Sequence, residues 1–335
     1  MNGQPVLRTR QLRRLATRLL VTGGVAWYLL TKVPLTGVGH ALRVAAPGWI
    51  VAGFVLQFVV RIVNALRIRI IARAQGAPLS FRAILSALFT TALYGLVLPG
   101  SIGAGAATLV KYVGHGATLA AALASMVVNR VLDTLTVVSL GAFFWGLEHY
   151  FGTPVVTARI ASITLVAAPV LLIGGHLLLF GRIRLLTQLA HLARRFAWEQ
   201  KHAMLRGLIG VVEQCALAGN LPAPPALGVF SLSVMKELLA TTIAYCFAHA
   251  VGVDLPFITI AWMQGAIALL ILLPITISGL GVREGALVLV GRQYGVSAVN
   301  ALTWGLVQFG AVLSIALIGG LIEARALWMS PAQPT

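Results

Sequence analysis

The stretch "LLPITISGLGVREGALVLV", residues 272–290, is almost wholly apolar, yet it holds Pro274, Gly279, Gly281, Gly285 and the adjacent pair Arg283–Glu284. Proline removes a backbone donor and clashes with the preceding turn, so a helix tends to end at Pro274. The glycines let the chain reverse and take positive φ. In lipid each freed N–H or C=O costs several kcal/mol, so such a break is tolerated only inside protein or against a wet cavity. A helix restarting after Gly281 points its positive end at that cavity, which suits an anionic group.

A second stretch has the same grammar. "LPGSIGAGA" (98–106) and "LPITISGLGVREGA" (273–286) each carry Leu-Pro, then a serine, then Gly-x-Gly. The predicted break residues are Pro99, Gly100, Ser101, Gly103 and Gly105 in the first, and Pro274, Ser278, Gly279 and Gly281 in the second. Matched breaks entering from opposite faces are the signature of an inverted-topology repeat, whose broken helices meet near the midplane. The alternative is a pair of kinked spans packed on their neighbours, since Pro and Gly are common in membrane helices.

Composition sets the class. Of the 335 residues, 59% are hydrophobic and only 10% charged, with a mean hydropathy of +0.93. A soluble chain averages about half apolar and a quarter charged. The expected fold is therefore all-α and polytopic, with about six full spans and two re-entrant hairpins. The spans are expected at 19–39, 47–70, 117–146, 158–180, 226–250 and 297–323, and the hairpins at 82–113 and 256–290. Residues 1–18 form a basic cytoplasmic segment, 19–325 a single membrane domain and 326–335 a tail; the Arg-rich stretch 182–220 is expected to be an amphipathic surface helix.

The net charge of +17 follows topology, because the arginines flank apolar segments instead of forming an aromatic-interleaved nucleic-acid surface. With both termini cytoplasmic and both hairpins re-entrant, only Lys32, Arg43, Arg159 and Arg292 face outward. A complete crossing by 82–113 would move the basic 182–206 segment outside, against the positive-inside rule.

Charges at membrane depth are the next signal, since each costs about 2.5–3.5 kcal/mol or more at the bilayer centre. Arg61, Arg130, Asp133, Lys236, Glu237, Arg283 and Glu284 fall within or near the apolar slab. Asn129, Arg130 and Asp133 lie together on "MVVNRVLDTL", and Gln57, Arg61 and Asn64 form a stripe at i, i+4, i+7. The candidate substrate-contacting residues are Arg283, Glu284, Arg130, Asp133, Asn129, Arg61 and Asn64. The competing explanation is that these pairs only staple helices together. Lys236 and Glu237 are expected to snorkel to the cytoplasmic interface.

Other chemistry finds little support. The seven histidines are scattered, Cys215 and Cys246 suggest neither disulfide nor metal, and no P-loop is present, so no cofactor or metal is expected. "SIGAGA" lacks the glycine flanks of a nucleophile elbow.

"LPITISGLGVREG", preceded by "LPGSIGAGA" and "VVNRVLDTL", resembles the membrane region of bacterial lysylphosphatidylglycerol synthases and the wider flippase-like family that shares it. The resemblance spans about 50–325. It implies a multi-helix lipid flippase-like fold in the bacterial inner membrane. It also implies that Arg283–Glu284 match the family's Arg-Glu pair, and Arg130 its arginine in the "VVNRVLDTL" motif. The family often carries an acidic residue and an arginine after the first break, where this chain has Gly105 and Thr108. The chain is expected to lack the aminoacyl-transfer domain of its two-domain relatives and so to be a transporter, not an enzyme. Its expected partners are membrane lipids with an anionic or modified headgroup. The other expectation, from a different class, is an accessory subunit for a lipid-modifying or glycan-lipid enzyme.

Overall fold

The computed structural model describes residues 35–97, 101–150, 155–180, 215, 217, 221–272 and 281–329. Most of the first expected span and most of the amphipathic segment lie outside the described residues, as do Pro99, Gly100, Pro274, Ser278 and Gly279.

Among the described residues every regular element is helical. In order these are α1 (Leu35–Arg43), α2 (Pro47–Ala74), α3 (Phe81–Val97), α4 (Ser101–Gly114), α5 (Leu119–Tyr150), α6 (Val155–Phe180), α7 (Ala223–Ala250), α8 (Phe257–Leu272), α9 (Val282–Gln293) and α10 (Ala298–Met329). Five of them, α2, α5, α6, α7 and α10, are long and apolar enough to cross a bilayer. The chain is a multi-pass membrane protein. Prolines open α2 and α7, where the missing N–H has no helical partner to lose, and Arg73 closes α2, where a cation meets the negative end of the helix.

Each expected hairpin contributes two described helices, Phe81–Val97 with Ser101–Gly114 and Phe257–Leu272 with Val282–Gln293. In the first, Thr91 and Thr108 share a hydrogen bond at 2.6 Å, and a Cβ on Gly95 would stand 3.7 Å from Ala104, so α3 and α4 run back along each other. In the second, Trp262 near the start of α8 lies 6.2 Å from Tyr294, just past the end of α9. At 1.5 Å per residue, α4 and α9 each reach only about 20 Å, short of the roughly 30 Å hydrocarbon core.

The chain divides into two repeats, α2–α5 and α7–α10. Their helices are 28, 17, 14 and 32 residues long in the first and 28, 16, 12 and 32 in the second. The repeats are inverted, because α2 and α7 pack antiparallel along their whole length. At one end the Ala46 N–H donates to the Ala250 carbonyl at 2.8 Å. Further along, Phe247 fills the space a Cβ on Gly53 would need, and beyond the middle Gly228 faces Ile70. Each hairpin then leans on the long last helix of the other repeat. A Cβ on Gly141 of α5 would come within 2.8 Å of Gly265 in α8, and one on Gly319 of α10 would collide with the Phe89 carbonyl oxygen in α3. Counted from the helix starts, Gly265 and Phe89 are equivalent positions and Gly141 and Gly319 differ by one. Sequence suggested the inverted repeat from two short motifs; its reach over four elements per half emerges from the packing.

The apolar core is thickest where α7, α8, α9 and α10 meet, around Phe247, Ile260, Met263, Leu287 and Trp304. Trp304 is held there by its indole N–H, which donates to the Ala244 carbonyl at 2.9 Å. A second cluster joins α2 to the first hairpin through Ile68, Ile84 and Tyr112. The apolar faces left outward, such as Val51, Val55, Ile62 and Leu66 on α2, suit contact with lipid.

Candidate functional site

The seam between the repeats is apolar at one end and charged towards the other. Arg67 of α2 sits fully buried at the charged part. One of its terminal nitrogens donates to Ser233 Oγ of α7 at 3.1 Å. The other reaches Asn64 Oδ1 at 3.1 Å, Asn129 Oδ1 at 2.7 Å and Asp133 Oδ1 at 2.5 Å. The same Asp133 oxygen accepts Lys236 Nζ of α7 at 2.9 Å, and Lys236 lies 3.8 Å from Glu237. Four charges of zero net sum thus tie α2 and α5 of the first repeat to α7 of the second. Lys236 and Asp133 each stand about 20 Å from the start of their helices, well inside the hydrocarbon depth.

The physical reason for this closeness is the cost of isolation. A lone charge at this depth is costly, and pairing with hydrogen bonding offsets much of that cost. The helices supply the partners by spacing: Asn64 and Arg67 share a face at i,i+3, and Asn129 and Asp133 at i,i+4, with Asn129 Nδ2 donating to Asp133 Oδ2 at 3.4 Å. Nearer the helix ends, Ser125 donates to Gln75 and continues the polar seam.

The predicted site residues divide into three groups. Asp133, Asn129 and Asn64 join the cluster. Arg130 does not: it is exposed on the outer side of α5, on the same face as Val127 and Val131. Asp133 therefore pairs across helices with Arg67 and Lys236, and not along α5 with Arg130. Arg61, at the middle of α2, is half-buried, and its Nε has no hydrogen-bond partner.

The third group stands at the second break. Gly281 adopts φ 82°, the positive value expected of it, and begins α9. Its N–H donates to Glu284 Oε2 at 2.7 Å, so this buried carboxylate caps the helix it belongs to. The stem of Glu284 packs under Gly305 of α10, where a Cβ would meet its Cγ at 2.9 Å. Arg283 points elsewhere and is half-buried. Ser101 opens α4, and Gly103 and Gly105 lie within its first turns.

Two members of the cluster escaped the sequence expectations. Arg67 stands with Arg69 and Arg73 at the end of the 47–70 span, where a basic residue reads as a flanking topological charge, yet it continues the Asn64 face by one turn. Lys236 was expected to snorkel to the interface; instead it turns inward, because Asp133 offers a carboxylate across the seam. Among the described residues no group of three or more His, Cys, Asp or Glu could hold a metal ion.

A family model described as the lysylphosphatidylglycerol synthase TM region matches residues 15–320, a range that contains both hairpins and every member of the cluster. The chain belongs to that family. No curated protein matches it. Membership of this family links the chain, as a multi-pass membrane protein, to lipid metabolism.

Proposed function

We propose that this protein moves lipids between the leaflets of the bacterial inner membrane, as a transporter and not an enzyme, with both termini in the cytoplasm. The observation that carries the proposal is that Arg61, Arg130 and Arg283, which the sequence sets within or near the apolar slab, have no carboxylate in ion-pair range among the described residues. Glu284, the neighbour of Arg283, is occupied with its own helix terminus. Three unpaired arginines at about 2.5–3.5 kcal/mol each are a heavy burden unless a water-filled path or an anion meets them. A lipid phosphate is an anion that reaches this depth when its headgroup crosses. The helix N-termini at the two breaks add positive potential of the same sign.

In this mechanism a headgroup leaves one leaflet and exchanges its hydration for Arg283, Arg61 and Arg130, while its acyl chains stay in lipid along the exposed faces. The Arg67–Asp133–Lys236 bridge keeps the repeats in register during the passage. No covalent chemistry is required of the chain.

The test uses purified protein in liposomes containing fluorescent lipids, with a membrane-impermeant quencher outside. Transport makes more than the outer-leaflet fraction quenchable, and Arg283→Ala abolishes that excess while the protein still inserts and folds. Quenching that stays at the outer-leaflet fraction for every lipid class, even with an imposed proton gradient, would overturn the proposal and favour an accessory subunit.

A further inference from the structure

Lys236 has two carboxylate partners, and they differ in kind. Asp133 belongs to the other repeat and lies at 2.9 Å; Glu237 is the next residue on the same helix and lies at 3.8 Å. The Asp133 carboxylate is well held, by Arg67 on the same oxygen and by Asn129 on the other. Glu237, in contrast, has Lys236 as its one ion-pair partner among the described residues, and its side chain is only 12% exposed. It is the one carboxylate of the cluster left with a single, loose partner at membrane depth.

We propose that Glu237 is a proton-binding site whose occupancy decides whether Lys236 bridges the two repeats. With Glu237 ionised, Lys236 is shared between an interaction within α7 and one across the seam. When a proton from water adds to the Glu237 carboxylate, that competitor becomes a neutral acid. The Lys236 ammonium then belongs wholly to Asp133, which remains a carboxylate, and the bridge between the repeats tightens. Only a proton moves, and nothing is oxidised or reduced.

The charged groups that act on Glu237 are Lys236 on α7 itself, Asp133 on α5 and Arg67 on α2. On the remaining helices packed against α7, α8 carries no charged residue, and α10 carries only Glu323 and Arg325, close to its far end. His176 of α6 stands edge-on against Phe230 at 4.9 Å, about two turns from Glu237 along α7.

The proposal supplies a proton link to the lipid transport proposed above, but its test does not depend on transport. The whole chain holds only eight Asp and Glu side chains, so one carboxylic-acid band is readable by infrared difference spectroscopy of the full-length protein in lipid. Lowering the pH should bring up a protonated-carboxyl band that is lost in Glu237→Gln and returns, shifted, in Glu237→Asp. In parallel, spin labels at the exposed positions Val127 on α5 and Leu227 on α7, in a background without Cys215 and Cys246, report the spacing of the repeats. Their distance distribution should narrow at low pH in the parent and be independent of pH in Glu237→Gln. A band that survives Glu237→Gln, or a distribution that still responds to pH in that variant, would overturn the proposal. Failure of the lipid assay alone, with both of these results obtained, would remove the transport reading and leave the proton site standing.

Discussion

Replacing Asp133 by asparagine removes the only negative charge that Arg67 contacts among the described residues, while keeping shape and some hydrogen bonding. The structure sets the size of the effect. Asp133 Oδ1 receives Arg67 at 2.5 Å and Lys236 at 2.9 Å, and Arg67 is fully buried, so two cations lose their counter-charge together. Breaking a buried ion pair by removing one partner costs about 3–5 kcal/mol, most of it the penalty of the charge left behind. Glu237 is too far at 3.8 Å to replace Asp133 without moving Lys236 off the seam. The decisive comparison is the double variant Asp133→Asn/Lys236→Met. It removes one stranded cation, restores neutrality to what remains, and should recover about 1–3 kcal/mol of the loss, a coupling of the size that contacting residues show. The assay is reversible unfolding of the full chain in mixed detergent micelles, followed by circular dichroism, for the parent, both single variants and the double. If Asp133→Asn costs under about 1 kcal/mol, or if Lys236→Met adds to its cost instead of relieving it, the cluster is not what holds the repeats in register.

Three further outcomes follow from the packing. Gly319→Ala should destabilise by about 1–3 kcal/mol or more, since its Cβ would collide with the Phe89 backbone, whereas Gly310→Ala, with open space around it, should be neutral or gain up to about 1 kcal/mol; the same unfolding assay separates them. Glu284→Ala should cost about 0.5–2 kcal/mol through loss of the cap on α9, while Glu284→Gln keeps an acceptor for the Gly281 N–H and should retain most of that stability. Transport that fails in Glu284→Gln at full stability would then mean that the charge itself is needed. Thr91→Val should cost about 1 kcal/mol by removing the link to Thr108 between the arms of the first hairpin, measurable as faster amide exchange in α4.

Much of the fold could be read from sequence because membrane depth leaves few options. An apolar run must be a helix, and a Pro–Gly break within one must be sheltered, so the hairpins expected at 82–113 and 256–290 have their described helices within 81–114 and 257–293. The charged cluster was only half legible. Periodicity says which residues share a face of one helix, which is why Asn129 and Asp133 could be grouped. It does not say which faces meet, so Arg130 looked as good a partner for Asp133 as Arg67, separated by 66 residues, turned out to be. A basic residue near a span end is also ambiguous, because a topological arginine and a buried one carry the same letter. Arg67 and Lys236 are both of that kind, and only a partner across the seam distinguishes the two cases.

The two halves match in length and packing, yet their chemistry does not match. Counting from the helix starts, the counterparts of Arg67 and Asp133 in the second half are Ile243 and Val312. A molecule with interchangeable halves could trade the shapes of its halves and arrive at a mirror-related state of equal energy. Here such a trade would open an oily seam in place of an ionic one. The two states would therefore be unequally populated at rest, and a lipid arriving from one leaflet would meet a different protein from the one met by a lipid arriving from the other.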